Sequence, residues 1–159
     1  MSESRLPVQR VTLITLGVAD LARSRAFYAD LGWQPVAAQE GVCFYQMDGM
    51  GLGLFGREAL AEDQGRAGTR LETGAITLAQ NFSDRHGVDA AYAAAMTAGA
   101  EPLKAPEEVF WGGYSGYYAD PDGHVWEVAH NPFWPLDGQG RLTIPSDGGA
   151  PDESMEEDS

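Results

Sequence analysis

"RVTLITLGVADLARSRAFYADLGWQPV", residues 10–36, changes hydrophobic period part-way along. Residues 10–18 are rich in Val, Thr, Leu and Ile, side chains that suit a pleated, half-buried surface, and they predict a strand. Beyond Asp20 the apolar residues Leu21, Phe27, Tyr28 and Leu31 fall on one helical face. Asp20 suits the N-cap, where a carboxylate accepts from backbone N–H groups that lack a helical partner. Gly32 suits the left-handed position just past the helix end. Short strands are then predicted near 34–38, 42–47 and 51–55, the last two joined by "DGM". Residues 57–65 predict one or two helical turns, and a linker runs on to about residue 72.

The same order then restarts. "GAITLAQN" (74–81) predicts a strand, and "HGVDAAYAAAMTAGA" (86–100) a helix with a buried stripe of Val88, Ala91, Ala95 and Ala98. Strands near 101–104, 114–119 and 124–130 complete the set. Ile14-Thr15-Leu16 recurs as Ile76-Thr77-Leu78, an offset of 62, and Asp48-Gly49 recurs as Asp122-Gly123, an offset of 74. Together these predict an α+β fold of two tandem β-α-β-β-β modules, about 8–65 and 73–131. Residues 132–145 are expected to form a C-terminal arm. Residues 146–159, with six acids and no base, are expected to be a disordered, solvated tail.

Composition narrows the function classes. The formal net charge is −14, of which the tail supplies six, leaving −8 on the preceding 145 residues. No basic patch exists to release counterions from a polyanion, so no nucleic-acid partner is expected. No apolar run approaches membrane-spanning length and the first ten residues do not resemble a signal peptide, so the expectation is a cytoplasmic protein with no membrane partner. The single cysteine, Cys43, lies in the apolar run "VCFYQM" and predicts a buried inert thiol.

"DPDGHVWEVAHNP" (120–132) poses the functional question. Its first four residues suit a tight hairpin turn that fixes the register of the following strand. On that strand Glu127 alternates with Trp126 and Val128. It is open to three readings: a metal ligand, a polar contact for a small molecule, or a solvent-facing acid. His124 and His130 share the parity of Trp126 and Val128, so on a regular strand they point away from Glu127.

"VADLARSRAFYADLGW" (18–33) and "YYADPDGHVWEV" (117–128), with the repeated units between them, resemble the vicinal oxygen chelate superfamily of glyoxalases, bleomycin-resistance proteins and extradiol dioxygenases. The resemblance covers about residues 8–131. It implies curled mixed sheets around a central cavity and a habit of dimerising. Metal-dependent members carry one ligand on the first and last strand of each module. Those four positions fall here on Leu13, Gly53, Ala75 and Glu127, so three of the four lack a donor. One carboxylate does not hold a catalytic transition metal against water, and no metal and no cofactor are expected.

The resulting expectation is metal-independent binding of a small organic, aromatic-containing molecule. The expected ligand-binding residues are Glu127, Trp111, Phe55, Tyr114 and Tyr117, and the expected assembly is a homodimer. A second reading, from another class, is a glyoxalase-like lyase or isomerase, or a dioxygenase, with Glu127 as catalytic base or sole recognisable metal ligand. A third is a non-catalytic dimeric scaffold. Phe133 and Trp134, in the arm, suit packing either on the body or on a partner subunit.

Overall fold

The computed structural model describes residues 6–149. The chain divides into two compact units, meeting in sequence at Gly74 and Ala75, and each is described by itself. Among the described residues there are two four-stranded mixed sheets and three helices, an α+β fold not closed into a barrel. No described helix is long and apolar enough to cross a membrane.

In the first unit β1 (Leu13–Val18), α1 (Leu21–Asp30), β2 (Ala37–Gln39), β3 (Val42–Gln46), β4 (Gly51–Gly56) and α2 (Arg57–Asp63) follow in order. The sheet order is β1-β4-β3-β2, with β1 and β4 parallel and the other neighbours antiparallel. Asp20 caps α1 as expected, its Oδ1 accepting from the Arg23 N–H at 3.1 Å. Gly32, at φ +89°, ends the helical turn. One sheet face is buried: Leu16, Leu54 and Cys43 lie side by side across β1, β4 and β3. Against the core Tyr28 stacks on Trp33 at 5.3 Å and meets Phe27 edge-on at 5.0 Å. The opposite face carries Thr15, Gly53 and Phe44 in one row.

The second unit repeats the plan with β5 (Thr77–Asn81), α3 (Arg85–Thr97), β6 (Glu101–Glu108), β7 (Tyr114–Ala119) and β8 (Val125–His130), in sheet order β5-β8-β7-β6. Asp84 caps α3 by accepting from the Gly87 N–H at 2.8 Å. Val88 and Ala95 are buried where α3 packs on β7 and β8, over Tyr118, Trp126 and Val128. The turn before β8 is tied by Asp120, itself buried, whose Oδ1 accepts from the Asp122 and His124 N–H groups, both at 2.9 Å.

Several boundaries differ from expectation. β1 begins at Leu13 and β5 at Thr77, each about three residues late. β2 starts beyond Pro35, which cannot donate to a ladder. β6 runs on to Glu108 through two register shifts, between Pro102 and Lys104 and between Lys104 and Glu107, around its two prolines. The internal repeat also corrects: β1 pairs Leu13 with Gly51, whereas β5 pairs Thr77 with Val125. With the last strands related by 74, the first strands are therefore related by 64, not 62. The counterpart of Leu13 is Thr77, and Ala75 lies before β5, exposed. A shift of two preserves the sheet face, which is why the short Ile-Thr-Leu match concealed it.

Candidate functional site

Alternation along β8 sends Trp126 and Val128 into the core beneath α3 and Glu127 and Ala129 to the other face. The register sets Glu127 between Ala79 on β5 and Tyr117 on β7. The Tyr117 hydroxyl donates to Glu127 Oε2. That bond, helped by partial burial and by the carboxylate's charge, pushes the Tyr117 phenol up to about 12. Tyr117 therefore stays a donor throughout the neutral range and holds the carboxylate in place.

On this face lies a cavity of about 510 Å³, lined by Ala79, Asn81, Glu127 and Ala129 from the sheet, and by Trp111, Asn131, Phe133, Trp134, Gly148 and Gly149. Its outer wall is the chain beyond β8 folding back. Asn131 starts the fold-back: its Oδ1 accepts from the Phe133 N–H at 2.9 Å and its carbonyl from the Trp134 N–H at 3.1 Å. The Trp134 Nε1–H donates to the Gly148 carbonyl at 2.9 Å, closing a loop between residues fourteen positions apart.

Two glycines admit the aromatic rings. At Gly112, with φ +90°, a Cβ would stand 2.9 Å from the Phe133 ring. At Gly113 it would overlap the Trp111 indole, 1.7 Å from Cζ3. The turn between β6 and β7 is thus shaped so that Trp111 folds back on its own backbone and Phe133 rests against it.

The predicted site residues separate. Glu127 and Trp111 line the cavity, and Tyr117 anchors Glu127 from the next strand. Tyr114 does not join them. It has the parity of Tyr118 and turns toward α3, where its hydroxyl donates to Asp89 Oδ1 at 2.6 Å and the Arg85 guanidinium lies 5.0 Å from its ring centre. Phe55 belongs to the first unit, on β4 beside Gly17 and Val42 and on the same face as Gly53. Phe133 and Trp134 pack within their own unit, against Gly112 and Gly148. Asn81, Asn131, Gly148 and Gly149 were not anticipated. The Asn-Pro that ends β8 signalled a turn there, but not its direction.

The donor set does not match a divalent transition metal. His130 has its Nδ1 3.0 Å from the Phe82 carbonyl, on the face away from Glu127. Leu13, Gly53 and Ala75, or Thr77 in place of Ala75, offer no imidazole or carboxylate. Among the described residues no three His, Cys, Asp or Glu side chains converge. Glu127 already accepts from a phenol. These residues do not fit a transition-metal cage.

A larger cavity, about 810 Å³, lies in the first unit around α2, lined by residues such as Arg57, Glu58, Glu62, Arg70 and Leu71. It contains no aromatic side chain and mixes both signs of charge along a short helix and the following loop. It is a groove without convergent chemistry, and the smaller cavity is the better candidate.

A family model described as the Glyoxalase/Bleomycin resistance protein/Dioxygenase superfamily matches residues 10–128. A glyoxalase-related enzyme from Fulvimarina pelagi is 37% identical, covering 87% of this chain and 100% of its own, with a TM-score of 0.81. A glyoxalase/bleomycin resistance protein/dioxygenase from Nocardioides shares 24% identity over 88% of this chain and 93% of its own, TM-score 0.68. A lactoylglutathione lyase from Agrobacterium tumefaciens has the same fold at 24% identity, over 80% of this chain and 98% of its own, TM-score 0.64. No curated protein sequence matches significantly. With the model spanning most of the chain and agreeing with the sheet topology, the protein belongs to the glyoxalase/bleomycin resistance protein/dioxygenase superfamily.

Proposed function

We propose that this protein binds a small, planar organic molecule in the second unit's cavity by a metal-independent mode. The observation that supports it is the lining itself: one oriented carboxylate, two asparagine amides and three large aromatic side chains around about 510 Å³. That is the composition of a small-molecule pocket, with apolar walls for affinity and a few polar groups for orientation. Trp111, Phe133 and Trp134 supply stacking area, and Glu127, held by Tyr117, supplies a fixed acceptor. The family's other chemistry, a lyase or isomerase step with Glu127 as base, would use the same carboxylate without a metal. Its Tyr117 partner orients it for either role.

The test is a thermal-shift screen with planar aromatic and heteroaromatic compounds on the full chain. A ligand at 100 times its Kd stabilises the folded state by about 2.7 kcal/mol, a readily seen rise in Tm. Trp111→Ala is expected to weaken any hit at least tenfold. A screen in which no compound shifts the wild-type Tm, or hits indifferent to Trp111→Ala, would overturn the reading.

A further inference from the structure

The lining also assigns a charge to the occupant, an inference that rests on the binding reading above. We propose that the ligand is an organic cation: a planar aromatic or heteroaromatic molecule carrying an ammonium, amidinium or alkylated ring nitrogen.

Among the described residues, Glu127 is the single ionisable side chain that lines the cavity, and no Lys, Arg or His joins it there. The hydroxyl of Tyr117 satisfies one carboxylate oxygen without neutralising the charge, because a phenol donates a hydrogen bond and keeps its proton. The second oxygen is left for a ligand donor. An anion placed beside it would meet like charge with no compensating base in the lining. A cation would meet both a carboxylate and the negative faces of indole and phenyl rings, which attract cations by their quadrupole.

The bases elsewhere in this unit do not cancel that preference. Lys104, which the register sets beside Tyr117, is ion-paired with Glu107 at 3.1 Å. Arg85, on the α3 side of the sheet, is paired with Glu108 at 2.8 Å, and Arg141, in the loop beyond β8, is exposed and does not line the cavity. The whole chain, with 24 acids against 10 Lys and Arg, adds a field of the same sign.

Three probes of one shape test the charge: quinoline (neutral at pH 7.5), N-methylquinolinium (a permanent cation) and quinoline-3-carboxylate (an anion), each titrated calorimetrically into the full chain and into Glu127→Gln. The expected result is cation over neutral by about tenfold or more in wild type, the anion weakest, and a cation-to-neutral ratio near unity in Glu127→Gln. Equal or tighter binding of the neutral or anionic probe to wild type would overturn the charge assignment and leave the binding reading standing. A preference for the cation that persists in full in Glu127→Gln would also overturn it, since the carboxylate would then not be its source. Failure of all three probes to bind at millimolar concentration would sink both readings together.

Discussion

Tyr117 on β7 and Tyr45 on β3 lie on opposite faces of their own sheets, one toward the cavity and one in the core, and their hydroxyls meet opposite fates. The Tyr117 hydroxyl is spent on Glu127, and its phenol is pushed up to about 12. A raised phenol favours the protonated form in the folded state. Its contribution to stability is thus complete below pH 10 and is lost as the pH climbs from 10 through about 12. Tyr118, raised to about 12 by burial and then by Asp120, titrates in the same window. Ultraviolet difference titration of Tyr117→Phe is expected to lack one late-ionising phenol while keeping that of Tyr118. An unchanged count near pH 12 would mean that Glu127 does not hold Tyr117. The Tyr45 hydroxyl, by contrast, is buried with no hydrogen-bond partner among the described residues, and burial followed by the neighbouring Cys43 raises its phenol. Leaving a buried hydroxyl unsatisfied costs about 1–3 kcal/mol. Tyr45→Phe keeps the ring contact with Tyr28 at 6.1 Å and removes the orphan. It is expected to raise stability by about 1 kcal/mol, or a few degrees in Tm. A loss of that size on denaturant unfolding would show that the hydroxyl has a partner after all.

Among the elements, the turn between β6 and β7 shapes the cavity through Trp111 and through the room it leaves for Phe133. Gly113→Ala has no room for its methyl unless the Trp111 indole leaves, and Gly112→Ala adds a left-handed backbone penalty of about 1–2 kcal/mol to a contact with Phe133. Gly113→Ala is expected to keep far-UV circular dichroism, shift tryptophan emission, and weaken probe binding at least tenfold; unchanged emission would place Trp111 elsewhere. Such a turn shows which parts of a sequence are legible. Helix α1 is legible because Asp20 caps it through local chemistry, three residues in reach, and α3 because its apolar stripe is periodic; the Asp84 cap emerges only in the structure. The Glu127 face was readable because strand parity is local too. Tyr114 departs from the expected cavity lining by that same parity, since a position three residues from Tyr117 lies on the opposite face, however aromatic the stretch between. The fold-back from Asn131 to Gly148 was unreadable for a different reason. It depends on a single indole-to-carbonyl bond across fourteen residues and on space at Gly112, and neither leaves a periodic mark.

For the molecule as a whole, duplication and charge act at different ranges. The two units share a sheet plan, yet the row that holds Ala79, Glu127 and Tyr117 in the second holds Thr15, Gly53 and Phe44 in the first. That row therefore carries a carboxylate in the second unit and none in the first, while the net charge of −14 belongs to the entire chain. These two sources of attraction for a cation are separable by salt. The Debye length falls from about 30 Å at 0.01 M to about 8 Å at 0.15 M, so the diffuse field of surface carboxylates is largely screened by physiological ionic strength. Glu127, half-buried and within the cavity, lies inside that distance of any occupant. N-methylquinolinium is thus expected to lose several-fold in affinity between those two salt concentrations with wild type, and to retain a cation-over-neutral preference at the higher one. With Glu127→Gln the low-salt preference is expected to be modest and to vanish at 0.15 M. If wild type and Glu127→Gln instead show the same preference and the same salt slope, the attraction comes from the surface at large, and the cavity carboxylate contributes nothing to selection.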